Sequence, residues 1–394
     1  MQIERVYIGG WFQRTTLHLS EIYDFLREGT SALDLDKAKL KELQASLVMA
    51  SVELKAGALE YIDIMTEGGV TVKIYEDGLI VLDDGFDEGD ELAADIKKLT
   101  DYYEQKLSPA FSYLFSLGAP VPKELANIKT VYPYFVVVKH AHKSEVIRLL
   151  NQFNEPKYFE VETEHFDIFR GDKFYVISAK KEAPISIERF IEEQIFLREF
   201  KGQLHRYLNL HRIIWERIAD VKERGKIRGS EVGGFRDKIE RYAKTINLIE
   251  ARINQMGTYL HTRESIVKGD DRLEHFLGVI GYRYETLSDT LDYVKQIWTM
   301  TKNYVQSALD LFTDLQSKAT NTSVKNLTVV TSMGVGATLI GLFTTTKAPT
   351  FTEFGVGYFL ALAFIGYATN RIMGWIYSRK SYKIADVSYD VDIK

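Results

Sequence analysis

The sequence predicts an α/β cytoplasmic domain, a mixed sheet flanked by helices, followed by long stalk helices and a C-terminal two-helix transmembrane hairpin. Three observations in the 394 residues predict this organisation. Strand-like segments are confined to the first 180 residues, proline is absent from residues 272–343, and the uncharged apolar runs begin at Asn326. The expected boundaries are 1–182 for the cytoplasmic domain, 183–325 for the helical stalk region, 326–378 for the two spans (326–345 and 355–377) and 379–394 for a basic cytoplasmic tail.

Alternation of apolar and polar residues predicts the strands of the first domain. Asp77-Gly78 and Gly171-Asp172 are hairpin signals inside two of the strand-like segments. The order of elements predicts a mixed sheet but leaves its topology open. The strand-like segments are 3–10, 60–67, 70–84, 130–141 and 157–179, and helical spacing predicts helices over 19–28, 35–59, 90–115 and 143–152.

Candidate chemistry in this domain is sparse. The acidic run from Asp83 to Glu91 attracts divalent cations in principle, but it lacks EF-hand spacing, and such runs are more often solvated loops before a helix. His140 and His142 alternate at a strand end, which is more often polar surface than a metal site. The absence of Cys excludes disulfides, thiolate metal sites and cysteine nucleophiles. Since no nucleophile–base set stands out, we expect no enzyme.

Helical periodicity dominates the middle of the chain. Apolar residues at spacings of three and four predict helices over 185–224 and 235–266, and the glycines of GKIRGSEVGG (225–234) predict a turn between them. The proline-free stretch 272–343 predicts one continuous helix of about 108 Å, at 1.5 Å per residue. A single helix of this length needs partners, so an oligomer is expected.

Two apolar runs predict the membrane hairpin. NLTVVTSMGVGATLIGLF (326–343) carries no charge, and residues 355–377 are long enough to span a bilayer with some tilt. The second run ends with the aromatic residues Trp375 and Tyr377, and the basic residues Arg379, Lys380 and Lys383 follow. By the positive-inside rule this end is cytoplasmic. Because no signal peptide is recognisable, we expect a multi-pass protein of the plasma (inner) membrane with both termini cytoplasmic. A buried soluble hairpin is the alternative.

A polar stripe follows the long helix into the first span. Steps of three and four from Asn303 meet mostly polar residues, while a neighbouring stripe through the span holds small and apolar ones. One polar face beside one small-residue face is what a helix lining an aqueous pore needs. A 3.5-residue repeat drifts by about 20° per heptad, so the stripe faces one axis only in supercoiled helices. Threonines that bond their own helix carbonyls are the alternative. The polar stripe is Asn303, Ser307, Asp310, Asp314, Ser317, Asn321, Val324, Thr328, Thr331, Val335, Thr338, Leu342 and Thr345, and the small-residue stripe is Leu327, Val330, Gly334, Ala337 and Gly341.

The segment YVQSALDLFTDLQSKATNTSVKNLTVVTS (304–332) resembles the stalk-to-pore junction of the CorA-type divalent-cation transporters. The resemblance in topology covers nearly the whole chain, and the residue-level match covers about 304–341. It implies a homopentamer with the first span around the pore, carrying magnesium, cobalt or zinc. The chain departs from the family at its Gly-Met-Asn signature, where Gly341, Leu342 and Phe343 stand instead. Leu and Phe offer no oxygen ligand to a hydrated cation, so the ion carried is left open.

The expected function is therefore an oligomeric channel or transporter for cations, gated by the cytoplasmic domain. Divalent cations are expected as transported or regulatory ions, without another cofactor, and Asp310 and Asp314 are the candidate metal ligands. The expected partners are further copies of the chain, the lipid bilayer, metal ions and a small regulatory ligand; the net charge of −5 argues against a nucleic acid polymer. Two alternatives stay open: a membrane effector pore opened by a small signal such as a nucleotide, and a membrane-anchored scaffold without a pore. The expected pore-lining residues are Asp310, Asp314, Asn321, Thr328, Thr331, Thr338, Leu342 and Thr345.

Overall fold

The computed structural model describes most of the chain up to residue 344 and scattered positions after it. The described residues are 1–13, 18–87, 91–115, 133–139, 141–163, 165–180, 186–222, 226–270 and 273–344, with single positions between 357 and 379 and the run 381–383. The chain divides into two compact units. Unit 1 comprises Met1–Asn209 and Leu248–Gln296, and unit 2 comprises Leu210–Asn247 and Ile297–Lys394.

Unit 1 is built on a mixed sheet, as the sequence predicts. Among the described residues the sheet has nine strands in the order β2-β3-β4-β5-β1-β6-β9-β8-β7. The β6–β9 pair is parallel and the other neighbours are antiparallel. The strands are β1 (Gln2–Trp11), β2 (Met49–Lys55), β3 (Tyr61–Thr66), β4 (Thr71–Tyr75), β5 (Leu79–Gly85), β6 (Tyr134–Lys139), β7 (Phe159–Glu162), β8 (Phe166–Arg170) and β9 (Phe174–Ala179).

Short helices accompany this sheet, and two of them have the predicted limits. Helices α1 and α5 begin after His18 and His142, whose backbone amides donate to Glu21 and Glu145 at 2.8 Å, which is half of a capping box. A π-helical turn, Tyr103–Leu107, joins α3 to α4. The short helices are α1 (Leu19–Glu28), α2 (Lys37–Ser46), α3 (Leu92–Tyr102), α4 (Ser108–Leu114) and α5 (Lys143–Gln152).

The single helix predicted over 35–59 is wrong. Helix α2 ends at Ser46, Val48 takes a φ of 48°, and Met49–Lys55 forms edge strand β2 against β3. Ala, Lys, Leu and Glu in this stretch favour a helix locally, but pairing with β3 and sheet packing override that preference.

Three long helices follow: α6 (Ile187–Lys222), α7 (Gly229–Lys268) and α8 (Glu274–Thr344). Helix α8 has 71 residues without a break, which corresponds to roughly 107 Å. The turn predicted over 225–234 is wrong for most of its length. Lys226–Arg228 forms β10, and the following glycines lie in the first turns of α7. Strand β10 forms because it pairs with the distant β11 (Ser381–Lys383), which local sequence does not reveal.

A buried ionic cluster joins the sheet of unit 1 to its long helices. Arg263 of α7 donates through Nε and Nη2 to both carboxylate oxygens of Asp77 at 2.5 and 3.1 Å, and through Nη1 to Glu193 of α6 at 2.9 Å. The hydroxyl of Tyr284 on α8 donates to the other oxygen of Glu193 at 2.5 Å. All four side chains are buried. Burial raises the pKa of Glu193, although the Arg263 guanidinium opposes this effect.

Unit 2 packs segments of the same three helices around an apolar seam. Trp215 of α6 stacks on Tyr304 of α8 with ring centroids 4.3 Å apart. Arg236 of α7 donates to Gln316 of α8 at 2.9 Å. The buried residues of this seam include Ile214, Ile218, Ile239, Ile246, Trp298, Val305 and Phe312.

The structure does not describe most side chains of the predicted membrane hairpin, residues 326–378. Among the described residues, no helix combines the length and the apolar character needed to cross a membrane. The backbone of α8 is helical through the first predicted span as far as Thr344. The second predicted span, 355–377, lies outside the described residues except at single positions. Both spans stay predictions.

Candidate pore-lining face of the long helix

Within unit 2, helix α8 has one covered face and one open face. The open face carries the polar stripe: Asn303, Ser307, Asp310, Asp314 and Ser317 are all exposed. The two faces follow from spacing, because residues three and four apart lie on the same side of a helix. The stripe therefore lies on the side of α8 that the described part of its own chain leaves open. The covered face, packed in the apolar seam, is Trp298, Thr301, Val305, Ala308, Phe312 and Leu315.

Asp310 and Asp314 lie one helical turn apart on this open face. Asp310 accepts a hydrogen bond from Gln306 Nε2 at 2.9 Å, and Asp314 forms an ion pair with Lys318 Nζ at 2.6 Å. Both members of that pair are more than half exposed. An exposed pair of this kind contributes only about 0–1 kcal/mol, so Lys318 is easily displaced from the carboxylate. Two carboxylates are therefore accessible to a cation from solvent.

The basic side chain of Lys222 borders the polar stripe near its N-terminal end, at Ser307. Lys222 Nζ of α6 donates to Ser307 Oγ at 3.3 Å and lies 4.4 Å from the centroid of the Tyr304 ring. The sequence pattern does not reveal this cation, because α6 and α8 are far apart in the chain. Its charge opposes that of Asp310 along the same face and limits the net attraction for cations there.

The continuation of α8 into the first predicted span is uncovered by the described part of the chain. Thr328, Thr331, Gly334, Val335 and Thr338 are all exposed. A Cβ built on Gly334 meets no atom within 4 Å. Because every described residue of this stretch is exposed, exposure does not distinguish the polar stripe from the small-residue stripe here.

Thr338 has its hydroxyl proton bound inside the helix. Its Oγ1 donates to the carbonyl oxygen of Gly334 at 2.8 Å. This is the bond to the helix's own carbonyl that is the alternative to a pore-lining role for the threonines. The hydroxyl oxygen keeps its lone pairs. A threonine in this state offers an acceptor to a cation but no donor to an anion.

The remaining predicted site residues cannot be placed by side chain. Asn321, Gly341, Leu342 and Phe343 belong to α8, but their side chains are outside the description, and Thr345 lies beyond it. Their assignments to the pore wall and to the position of the missing signature stay predictions.

Large apolar side chains are exposed along the C-terminal part of the chain. Trp375 lies beneath the guanidinium of Arg379, 4.0 Å from the ring centroid. This is the aromatic and basic pairing that interfacial residues adopt. Exposed apolar groups in such number are unusual on the surface of a soluble monomer. The exposed residues are Val335, Leu360, Phe364, Ile365, Tyr367, Ile372 and Trp375.

Strand β11 returns the chain to the stalk. Ser381, Tyr382 and Lys383 pair antiparallel with Arg228, Ile227 and Lys226. The residues after the second predicted span therefore lie beside the start of α7. Sequence reasoning missed this contact, and the only local signal was the basic and aromatic composition of the two short segments.

Three of the weaker candidates of the N-terminal domain, Asp83, Asp84 and His142, have structural roles in the described part of the chain. Asp83 is buried and bonded to Arg5, and Asp84 is paired with Lys98 at 2.5 Å. Burial raises the pKa of Asp83 to about 6 against the opposing effect of Arg5. His142 caps α5, and His140 lies outside the described residues. Within the described part of the chain, no group of three or more acidic, His or Cys side chains has the arrangement of a metal site.

Comparison with known proteins gives little further guidance. No protein-family model matches the sequence, and no curated protein matches it. Among solved structures, the chain is similar to the complete structure of the CorA magnesium transporter from Methanocaldococcus jannaschii. That similarity has 10% identity and a TM-score of 0.22, and it covers 64% of this chain and 92% of that chain. A similarity at this TM-score carries no argument about function.

Proposed function

We propose that this chain forms an oligomeric membrane channel or transporter for cations, with α8 lining the pore. The observation that carries the proposal is the two-faced character of α8 in unit 2. Its apolar face is buried against α6 and α7, while the face with Asp310 and Asp314 is left open along 303–317. A polar helix face left open by its own chain is suited to a shared aqueous axis. The proposed assembly is a homopentamer.

The chemistry of the face favours cations. A ring of subunits multiplies the exposed carboxylates of Asp310 and Asp314 around one axis and raises the local cation concentration. Back-bonded hydroxyls such as that of Thr338 present only acceptors. Divalent ions gain most from such a ring because the attraction scales with charge. Magnesium, cobalt and zinc are therefore the proposed ions, as transported or regulatory species, and the proposed role is transport rather than catalysis.

The β10–β11 pair supports a hairpin between α8 and the C-terminal segment. Because Ser381–Lys383 lies beside Lys226–Arg228, the chain that leaves along α8 must come back to the stalk before residue 381. Two crossings satisfy this condition, as does the alternative hairpin that does not cross a bilayer, whereas a single crossing does not. The exposed apolar groups between Val335 and Trp375 then face lipid or neighbouring subunits. On this proposal the protein is a multi-pass inner-membrane protein with both termini in the cytoplasm.

Ion flux in proteoliposomes tests the proposal. Purified full-length protein is reconstituted, and uptake of magnesium, cobalt, zinc and sodium is followed separately with ion-selective dyes. We expect protein-dependent uptake of at least one divalent ion above that of sodium. Vesicles as tight as protein-free controls to all four ions, at a confirmed oligomer density, would favour the scaffold without a pore.

A further inference from the structure

Unit 1 contains a basic cavity whose lining includes none of the proposed pore-lining residues. It has a volume of about 440 Å³ and lies between the β8–β9 hairpin, α6 and the N-terminal part of α8. This volume lies within the range of about 300–1,000 Å³ that is usual for small-molecule sites. The β-hairpin contributes Arg170, α6 contributes Arg198 and Lys201, and α8 contributes Arg283.

Among the described residues, no carboxylate lies at ion-pair distance from the four cations of this cavity, and Arg198 interacts only electrostatically with the buried carboxyl of Glu199. In the part of the chain that the structure describes, none of them forms an ion pair, and no Asp or Glu lines the cavity. Arg283 donates to the amide oxygen of Gln194 and also hydrogen-bonds to Tyr282 and Tyr175, and none of these partners is a carboxylate. Four like charges in one concave, partly apolar site repel one another and concentrate anions. Such a cluster is costly unless an anion occupies it.

Arg170 is positioned in this cavity by two tyrosine rings. Its guanidinium lies 5.1 Å from the centroid of the Tyr175 ring and 5.4 Å from that of Tyr158. Its Nε is buried and has no hydrogen-bond partner among the described residues. A buried donor without a partner costs about 1–3 kcal/mol.

The rest of the lining combines leucine and tyrosine side chains with the polar residues His205, Thr286 and Thr290. Leu197 and Leu287 are buried in the wall, Tyr175 presents a buried ring, and Tyr282 is 59% exposed. A small inorganic anion would leave this surface wet. A ligand that joins a planar ring to a charged group would contact both parts of the lining, since aromatic side chains stack on planar rings.

We propose that this cavity binds a phosphorylated small molecule that carries a planar ring, which is the chemistry of a nucleotide. The phosphate contacts Arg170, Arg198, Lys201 and Arg283, because guanidinium groups bind phosphate oxygens in pairs. The ring contacts Tyr282 and the leucines. Binding at this site does not depend on the proposed pore. An effect of binding on transport rests on that proposal, since Arg283 lies on α8.

Calorimetric titration of the detergent-solubilised full chain tests the site with three probes. AMP carries both parts of the proposed ligand, ribose 5-phosphate carries the phosphate without the base, and adenosine carries the base without the phosphate. We expect AMP to bind about tenfold or more tightly than either partial probe, because each lacks one set of contacts. No binding of AMP, or equal binding of AMP and ribose 5-phosphate, would overturn the proposal.

Variants locate the binding. Arg198→Gln with Lys201→Gln should weaken AMP by about tenfold or more, since two charge-assisted contacts are lost. Lys244→Gln replaces an exposed helical lysine outside the cavity and should leave binding unchanged. Tyr282→Ala, at an exposed position, should weaken AMP but not ribose 5-phosphate, which keeps the test available if the double variant misfolds. AMP binding that is the same in all these variants overturns the site.

Flux with and without AMP then separates the two proposals. If AMP changes ion uptake by the wild type but not by the variant with Arg198→Gln and Lys201→Gln, the site also regulates transport. If the protein binds AMP in vesicles that show no ion uptake, the proposed pore is contradicted but the proposed binding site is not.

Discussion

At the scale of single residues, Arg263 holds unit 1 together. Its guanidinium is fully buried and satisfies two carboxylates, Asp77 from the sheet and Glu193 from α6. Sequence reasoning does not find this cluster, because its partners are 186 and 70 residues away along the chain. Local patterns predict where helices and strands begin, but they do not say which buried charges meet.

Arg263→Met tests that role. The substitution keeps much of the side-chain volume but leaves Asp77 and Glu193 buried without their cation, so we expect a loss of about 3–5 kcal/mol in the free energy of unfolding. Urea unfolding in detergent, followed by fluorescence, measures it. Adding Asp77→Asn and Glu193→Gln should recover part of the loss. A single variant as stable as the wild type would remove the cluster from the account.

Glu199 gives unit 1 a pH dependence. Burial raises its pKa to about 7, with Arg206 and Arg198 opposing the effect. Since the folded pKa lies above the ordinary value of 4.5, the folded state holds a proton that the unfolded state has lost between about pH 4.5 and 7. This carboxyl therefore lowers stability progressively as pH rises through that window.

Glu199→Gln should remove the dependence. The variant should exceed the wild type in unfolding free energy by up to about 3 kcal/mol at pH 8, and by less at pH 5. Thermal unfolding midpoints of the detergent-solubilised protein at the two pH values measure the gap. A gap that widens as pH falls would mean that Glu199 is ionised when buried.

At the scale of elements, local signals predict most of the structure and long-range pairing accounts for the misses. Helices α1 and α5 have the predicted limits because each begins at a backbone cap made by a Glu three residues on. Strand β2 was missed because its sequence favours a helix, and its pairing with β3 decides its structure. The open face of α8 could be predicted because its period is local. The position of Lys222 beside that face could not be predicted, because Lys222 and Ser307 are 85 residues apart in the chain.

The acidic pair of α8 carries the element-scale prediction. Asp310→Asn with Asp314→Asn removes two exposed carboxylates per subunit, so we expect divalent-ion flux to fall by about threefold or more at low ionic strength and by less at high salt. Proteoliposome uptake measures it. Asp292→Asn is the matched control, since Asp292 is an exposed partner of Lys295 on the same helix. Equal flux in wild type and double variant at low salt would remove both residues from the mechanism.

At the scale of the whole molecule, the proposed membrane hairpin predicts that the C-terminus lies in the cytoplasm. The chain has no Cys, so an introduced Cys is unique. A Cys at Thr350 should react with an impermeant thiol reagent in intact cells, and one at Ser388 should not. Arg228→Cys with Ser381→Cys, across β10–β11, should form an intrachain disulfide on mild oxidation. Labelling of the Ser388 position from outside is incompatible with two spans.

Assembly and conduction should respond to different faces of α8. Gly334→Leu has room in a single chain, because nothing lies within 4 Å of the added Cβ. A loss of oligomer would then point to contacts outside the chain, since small residues on such a face allow close approach of helices in lipid. We expect size exclusion in detergent to show smaller species for this variant. An unchanged elution volume would mean that this face contacts lipid.

The central claim is that the polar face of α8 lines an aqueous pore. The most direct test is divalent-ion flux per assembled oligomer for Thr331→Val with Thr338→Val, against Thr245→Val as control. Thr245 is an exposed, back-bonded threonine on α7, so the control removes the same hydroxyl chemistry away from the pore. Apolar rings dewet narrow pores. The account predicts that flux falls in the double variant, with assembly intact, and is unchanged in the control. Flux that is equal in the double variant, the control and the wild type would contradict it.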